Sequence, residues 1–183
     1  MSYVVRKIFM DYEKEEAWLN EMSAKGLALS EYSWARYVFE DSDKGEYIYR
    51  LELLEDHPKA AKAAEYLQFM EETGAERIPA GNQRWIIFRR KASEGAFTIY
   101  SDVDSKIKHY KRIYTLWLSL AMMEFVVGFF NIFMIVLDNP RALYTINLTL
   151  GLLLIVMGML FILLSMPVRR KINKLQSDKL ILE

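Results

Sequence analysis

The chain has 183 residues, 52% of them hydrophobic and 26% charged, with 24 basic and 24 acidic side chains and therefore no formal net charge. A neutral balance excludes a global field that would gather nucleic acid, and zero cysteines exclude a disulfide framework, cysteine-ligated metal and thiol catalysis. High hydrophobicity and high charge coexist by segregation: between Ile113 and Met166 the charged residues are Glu124, Asp138 and Arg141, and all the others lie outside that stretch.

The opening residues, "MSYVVRKIFMDYEKEE", turn acidic after a short apolar run, too short and too polar for a signal peptide. The first region is therefore expected to stay in the compartment of its synthesis. Residues 5–12 read as a strand, and "EKEE" suits the positive first turn of a helix whose apolar face carries Trp18, Leu19 and Met22 and which Gly26 ends. "LALSEYSW" and "RYVFE" follow as extended segments, "DSDKG" as a turn, and "EYIYRLELL" alternates like a half-buried strand. Asp56 and Pro58 then open a second helix, with Ala63, Tyr66, Leu67 and Met70 at helical spacing and Gly74 as its stop. "AERIPAG" and "RWIIFRRKA" supply two further extended segments.

The second series repeats the first. "WLNEMSAKG" (18–26) and "YLQFMEETG" (66–74) share a leucine, a methionine and a closing glycine in register, and Arg84-Trp85 stands where Arg36-Tyr37 stands at the same offset. The spacing predicts duplicated strand-helix-strand-strand units at about 5–40 and 46–91, forming an α+β domain over 1–91. Its antiparallel sheet is expected to carry both helices on one face. A groove between the halves would be walled by Tyr32, Trp34, Tyr37, Tyr47, Tyr49 and Trp85, although aromatics at strand spacing are also ordinary core.

Residues 92–112 are expected to join domain and membrane, with a helix starting near Asp104 and "SDVDS" (101–105) as its N-cap. Two apolar runs follow, 113–137 and 142–166, each about 25 residues against the roughly 20 needed to cross a bilayer core. "DNPR" between them makes an antiparallel hairpin over 113–166. Lys106, Lys108, Lys111 and Arg112 precede the first run, and Arg169, Arg170, Lys171 and Lys174 follow the second in a basic tail over 167–183. This bias places both termini in the cytoplasm and the basic side chains at the lipid surface. Glu124, Gly128 and Asn131 share one face of the first span, and Asn147, Gly151 and Gly158 one face of the second. They form a seam of small residues and amides, or, with Glu124 as the polar element, a contact for a partner.

Chemistry is sparse. Neither His57 nor His109 has a second ligand at metal spacing, and no glycine-rich phosphate loop or nucleophile elbow occurs, so no cofactor, no metal and no catalytic residue is assigned. Arg84, Arg89 and Arg90 in "RWIIFRR" read as a solvated sheet edge rather than a nucleic-acid contact.

"DYEKEEAWLNEMSAKG", "YVFE", "GEYIYRLELLE", "FMEETG", "RWIIFRRKA" and "YSDVDSKIKHYKRI" together resemble a bacterial family known as domain of unknown function 2812, over about residues 5–112. The resemblance implies a membrane hairpin like this one in many members and genes beside a PadR-type transcription regulator, but no catalytic residue. The doubled strand-helix-strand-strand plan is also similar to gyrase-inhibitor-like small-molecule-binding domains, at the level of fold. The sequence thus points to a non-enzymatic bacterial inner-membrane protein. Its cytoplasmic domain would bind a small molecule, a peptide or a regulatory protein. The alternatives are an accessory subunit of a transport or resistance system and, more weakly, an enzyme with an unrecognised site.

Overall fold

A computed structural model describes residues 2–80, 84–137 and 141–182. The chain divides into two compact units, 1–101 and 102–183. The first is α+β: β1 (Ser2–Arg6), α1 (Tyr12–Ala24), β2 (Leu27–Ser33), β3 (Arg36–Asp41), β4 (Tyr47–Leu53), α2 (Ala61–Glu72), β5 (Glu76–Arg77) and β6 (Trp85–Lys91). The second is a pair of long helices, α3 (Val103–Val136) and α4 (Arg141–Leu182).

Local chemistry explains the helix limits. Asp11 caps α1 by accepting a hydrogen bond from the Glu13 backbone N–H at 3.0 Å, and Glu13 and Glu15 sit in the positive first turn. At the other end Gly26 takes φ +86°, and after α2 Gly74 takes φ +87°, a conformation that costs a side-chain-bearing residue about 1–2 kcal/mol. The expected first strand, 5–12, is displaced toward the N-terminus, because Asp11 is consumed by the cap and residues 7–10 form the connection.

The strands are antiparallel, as expected, but form two three-stranded sheets instead of one, ordered β1-β3-β2 and β4-β6-β5. The join between them explains the division. A bulge in β2 shifts the register between Leu29 and Glu31, and β5 is only two residues long. Where the halves meet, the Leu29 N–H donates to the Tyr49 hydroxyl at 2.8 Å, the Leu29 carbonyl accepts from Arg89 at 3.1 Å, and the Tyr32 N–H donates to the Pro79 carbonyl at 3.1 Å. Side chains thus replace most of the backbone ladder.

The helices also depart from the expected single face. Trp18, Leu19 and Met22 of α1 pack in a core with Leu29, Tyr37, Phe39, Tyr49, Leu51 and Ile87. Ala63, Leu67 and Met70 of α2 pack in another, with Leu54, Ile86, Phe88 and Phe97. Ile87 alternates with Ile86 and Phe88 along β6, so the two cores lie on opposite faces of the second sheet. Residues 92–101, expected as part of a linker, pack with this unit: Phe97 lies in the second core and its carbonyl accepts from Arg50 Nε at 2.9 Å.

α1 also closes the outer edge of β4. Asn20 Oδ1 accepts from the Tyr49 N–H at 2.9 Å, while its Nδ2 donates to the Tyr49 carbonyl at 3.1 Å. Ser23 likewise serves both backbone groups of Tyr47, and Glu16 Oε2 accepts from the Leu51 N–H at 3.0 Å. The match is metric. From 16 to 20 the helix advances about 6 Å and from 20 to 23 about 4.5 Å, against about 6.6–6.8 Å for each two strand residues, so the side chains at 16, 20 and 23 reach 51, 49 and 47 by spanning a small difference.

The second unit is an antiparallel hairpin. Asp102 caps α3 through the Ser105 N–H at 2.6 Å, and from there the pairings run Asp104 with Lys179, Tyr110 with Lys171, Trp117 with Phe161 and Gly128 with Gly151. Both helices are long and apolar enough to cross a membrane. Val126, Phe129, Phe130, Phe133, Leu153 and Val156 are exposed on them, which suits an apolar surrounding better than the core of a soluble protein. At 34 residues α3 is about 51 Å long against a hydrocarbon core of about 30 Å, so its polar first turns extend beyond such a core. The connecting residues 138–140 of the expected "DNPR" turn lie outside the described residues.

Candidate ligand site

The six aromatic residues expected to wall a groove do not share one environment. Tyr37 and Tyr49 are fully buried in the first core, with hydroxyls committed to the Glu15 carboxylate and the Leu29 N–H. Buried rings offer no open wall. Tyr47 is half-buried, with the Arg89 guanidinium 4.4 Å from its ring centroid, and Trp34 stands outward at the β2–β3 turn. Tyr32, Tyr47 and Trp85 border the first core and keep part of their surface exposed, and of these Tyr32 lies beside Tyr37 and Trp85 beside Tyr12.

Beside Tyr32 and Tyr37 stands a carboxylate that the sequence pattern did not single out. Glu15, in the first turn of α1, is half-buried and accepts a hydrogen bond from the Tyr37 hydroxyl at 2.8 Å. Tyr32 stacks obliquely on Tyr37 with centroids 4.8 Å apart, and Tyr12, one helical turn before Glu15, lies 5.7 Å from Trp85. Tyr37 therefore bonds this acid and Tyr32 lies within reach of its charge, while Tyr12 and Trp85 form a separate ring pair at the border of the same core. Burial raises the Glu15 pKa, and the Tyr37 hydrogen bond only partly opposes this. Tyr37 is itself pushed well above the usual phenol range, first by burial and then by the Glu15 charge. Tyr32 moves up for the same two reasons. The acid lies in the run read only as favouring the helix dipole. Its second role depends on rings brought from β2 and β3, which no local pattern reports.

The other acids near α1 have structural work. Glu16 pairs with Arg50 at 3.2 Å while closing the β4 edge, and the buried Glu52 accepts from the Tyr66 hydroxyl at 2.6 Å. His57 Nδ1 accepts from the Lys59 N–H at 3.3 Å, and His109 is buried on α3. No group of three or more metal-ligating side chains occurs among the described residues. Arg89 and Arg90, read as a solvated edge, are engaged with Glu76 at 2.7 Å and with the Ala96 carbonyl.

In the hairpin, a Cβ at Gly128 would stand 3.1 Å from the Gly151 carbonyl, one at Gly151 2.9 Å from the Gly128 carbonyl, and one at Gly158 2.9 Å from the Phe125 ring. These glycines let the helices approach. Asn131 donates to the Val127 carbonyl of its own helix at 2.8 Å, and Asn147 and Glu124 are half-buried. Of the basic residues flanking the apolar stretch, Lys106, Lys108, Lys111, Arg169 and Arg170 are exposed, while Arg112 and Lys171 are half-buried.

The model of a family described as Protein of unknown function (DUF2812) matches residues 11–122, more than half of the chain. The match begins at the α1 cap and runs into α3, ten residues past the limit that the resemblance suggested. No curated protein and no solved structure matches the chain.

Proposed function

Because the chain belongs to the DUF2812 family, whose matched span takes in most of the first unit and the start of the first apolar helix, we propose that it is a membrane-anchored, non-enzymatic binding module. The α3–α4 hairpin is the anchor, and both termini lie on the cytoplasmic side of a bacterial inner membrane. Support for that orientation comes from the basic residues at 106–112 and 169–174 flanking an apolar hairpin. Reporter fusions at either terminus test it, and an external terminus would overturn it. The matching connectivity of the two three-stranded sheets, together with the paired helix ends at Gly26 and Gly74, supports an internal duplication.

The observation that carries the binding role is Glu15, a carboxylate held half-buried against the Tyr37 hydroxyl with the Tyr32 ring beside it. Such an acid is costly where it stands, and an organic cation with an apolar or aromatic body would offset that cost through charge and ring contacts together. Affinity for the cation should rise as pH rises through the raised Glu15 titration, because only the ionised form pairs with it. Fluorescence titration of the purified chain with rhodamine 6G tests this. Glu15→Gln keeps a partner for Tyr37 and should weaken binding about tenfold, equivalent to about 1.4 kcal/mol. Equal affinities for variant and wild type would remove Glu15 from the reading.

A second reading, an accessory subunit of a membrane transport or resistance system, draws on Glu124, a half-buried carboxylate within an apolar helix that a partner's polar group would stabilise. Glu124→Gln should then release the co-purifying partner while the isolated protein remains as stable as before.

A further inference from the structure

Trp34 and Ala35 form the two-residue turn between β2 and β3, since Ser33 pairs with Arg36. Both have positive φ, +42° and +61°. A two-residue hairpin with this geometry ordinarily carries Asn-Gly, and a bulky tryptophan in it is strained. The ring gains no packing from that strain: Trp34 is 87% exposed. Beside it runs the β1–α1 connection, fixed there by the Lys7 N–H donating to the Ala35 carbonyl at 2.9 Å. That connection carries Ile8, 74% exposed, and Met10, 59% exposed. Trp34 and Ile8 are the two most exposed large apolar side chains of the first unit among the described residues. Around this tip Arg6 is exposed and Arg36 lies 3.6 Å from Glu31, while the Lys7 ammonium lies over the Phe9 and Trp18 rings, 4.7 and 4.8 Å from their centroids.

We infer that this tip is a bilayer-docking element: Trp34 and Ile8 enter the interfacial layer of the membrane that anchors the chain, and Arg6 meets anionic headgroups. The inference rests on reading α3 and α4 as spans. An amphipathic tryptophan on an exposed turn, with an aliphatic neighbour and a cationic rim, has the chemistry of that layer. Only 11 residues separate Ser101, the last of the first unit, from Ile113, the start of the apolar run. The tether therefore holds the unit at high local concentration beside the lipid, where a contact too weak for a free domain persists.

The chain has no cysteine, so single labelling sites are simple to install. Full-length protein is reconstituted in nanodiscs of phosphatidylcholine, with or without phosphatidylglycerol. It carries a nitrobenzoxadiazole label at Ser33→Cys in the tip, at Lys44→Cys at the far end of β3, or at Phe130→Cys in α3. Headgroup-proximal nitroxide lipid should quench the Ser33 label several-fold more than the Lys44 label, more strongly with phosphatidylglycerol. The difference should vanish in Ile8→Ser/Trp34→Ser, whose melting should match wild type because both side chains are exposed. Equal quenching at Ser33 and Lys44, with the Phe130 label quenched by acyl-chain nitroxide, would overturn the docking inference alone. An unquenched Phe130 label would overturn the span reading and the inference with it. A Ser33 label that responds to the protein-to-lipid ratio by energy transfer, and not to nitroxide, would make a second copy of the chain the occupant and overturn docking on lipid.

Discussion

β1 and β4 hold the same place in their halves: each opens a strand-helix-strand-strand series and borders a three-stranded sheet whose middle strand closes that series. Their outer edges are treated differently. β4 has Glu16, Asn20 and Ser23 of α1 laid along it, serving both backbone groups of Tyr47 and Tyr49 and the Leu51 N–H. β1 borders its sheet with no further strand among the described residues, and Tyr3 and Val4 are exposed. Shared connectivity therefore does not dictate shared surroundings. An edge strand is a template for unwanted pairing, and a helix that carries polar groups at strand spacing can close it without supplying a strand. The same helix builds the carboxylate site with Glu15, the residue next to Glu16, so α1 is the element that separates the halves in role.

The largest expected effect tests this closure. Asn20→Ala leaves the N–H of the buried Tyr49 without its partner, while the Tyr49 carbonyl keeps the Arg50 guanidinium at 2.9 Å; one unsatisfied buried group costs about 1–3 kcal/mol, so stability should fall by about 2 kcal/mol in urea unfolding followed by tryptophan fluorescence. A loss below about 1 kcal/mol would mean that water enters the β4 edge readily and that the two edges are alike.

The paired glycines sharpen the comparison at the helix ends. Gly26→Ala and Gly74→Ala should each cost about 1–2 kcal/mol from positive φ alone. Gly26 should cost more, because a Cβ there meets the Ser42 carbonyl at 3.0 Å, which is backbone, whereas one at Gly74 meets the Glu94 carboxylate, which can rotate away. Equal losses in melting temperature would remove this distinction.

A smaller change, of opposite sign, is expected at the turn. Ala35→Gly relieves a positive φ of +61° and should stabilise by about 0.5–1 kcal/mol, after the entropy that glycine adds to the unfolded chain. The smallest effect belongs to β1. Val4→Lys alters an exposed edge position and should shift stability by less than about 0.5 kcal/mol, in contrast to Asn20→Ala. A large loss there would show that β1 has a covered edge in solution.

Helix ends and apolar runs were legible in the residues because both are local. Gly26 and Gly74 stop their helices through their own φ, Asp102 caps α3 through Ser105, and two long runs almost free of charge define the hairpin by length and composition. Periodicity likewise yields an α+β unit with antiparallel strands. What it could not yield is the partner of each face. Tyr32, Tyr37, Tyr49 and Trp85 are equivalent as aromatics at strand spacing, and only packing makes Tyr37 and Tyr49 core while leaving Tyr32 and Trp85 at its border. The division into two sheets depends on a bulge at Leu29 and a two-residue β5, and the separation of the α1 and α2 cores depends on the alternation of β6, which gives Ile87 to the first and Ile86 and Phe88 to the second. Glu15 is an ordinary first-turn acid until Tyr37 arrives from β3, and Asn20 an ordinary helix residue until β4 runs alongside. Sequence by itself determined the elements, their ends and the apolar hairpin, since these follow from backbone conformation and solvent preference within a few residues. Tertiary structure alone decided the edges, the cores and the acid among the rings, because burial and hydrogen bonding there join positions 20 to 60 residues apart, and no local pattern carries that pairing.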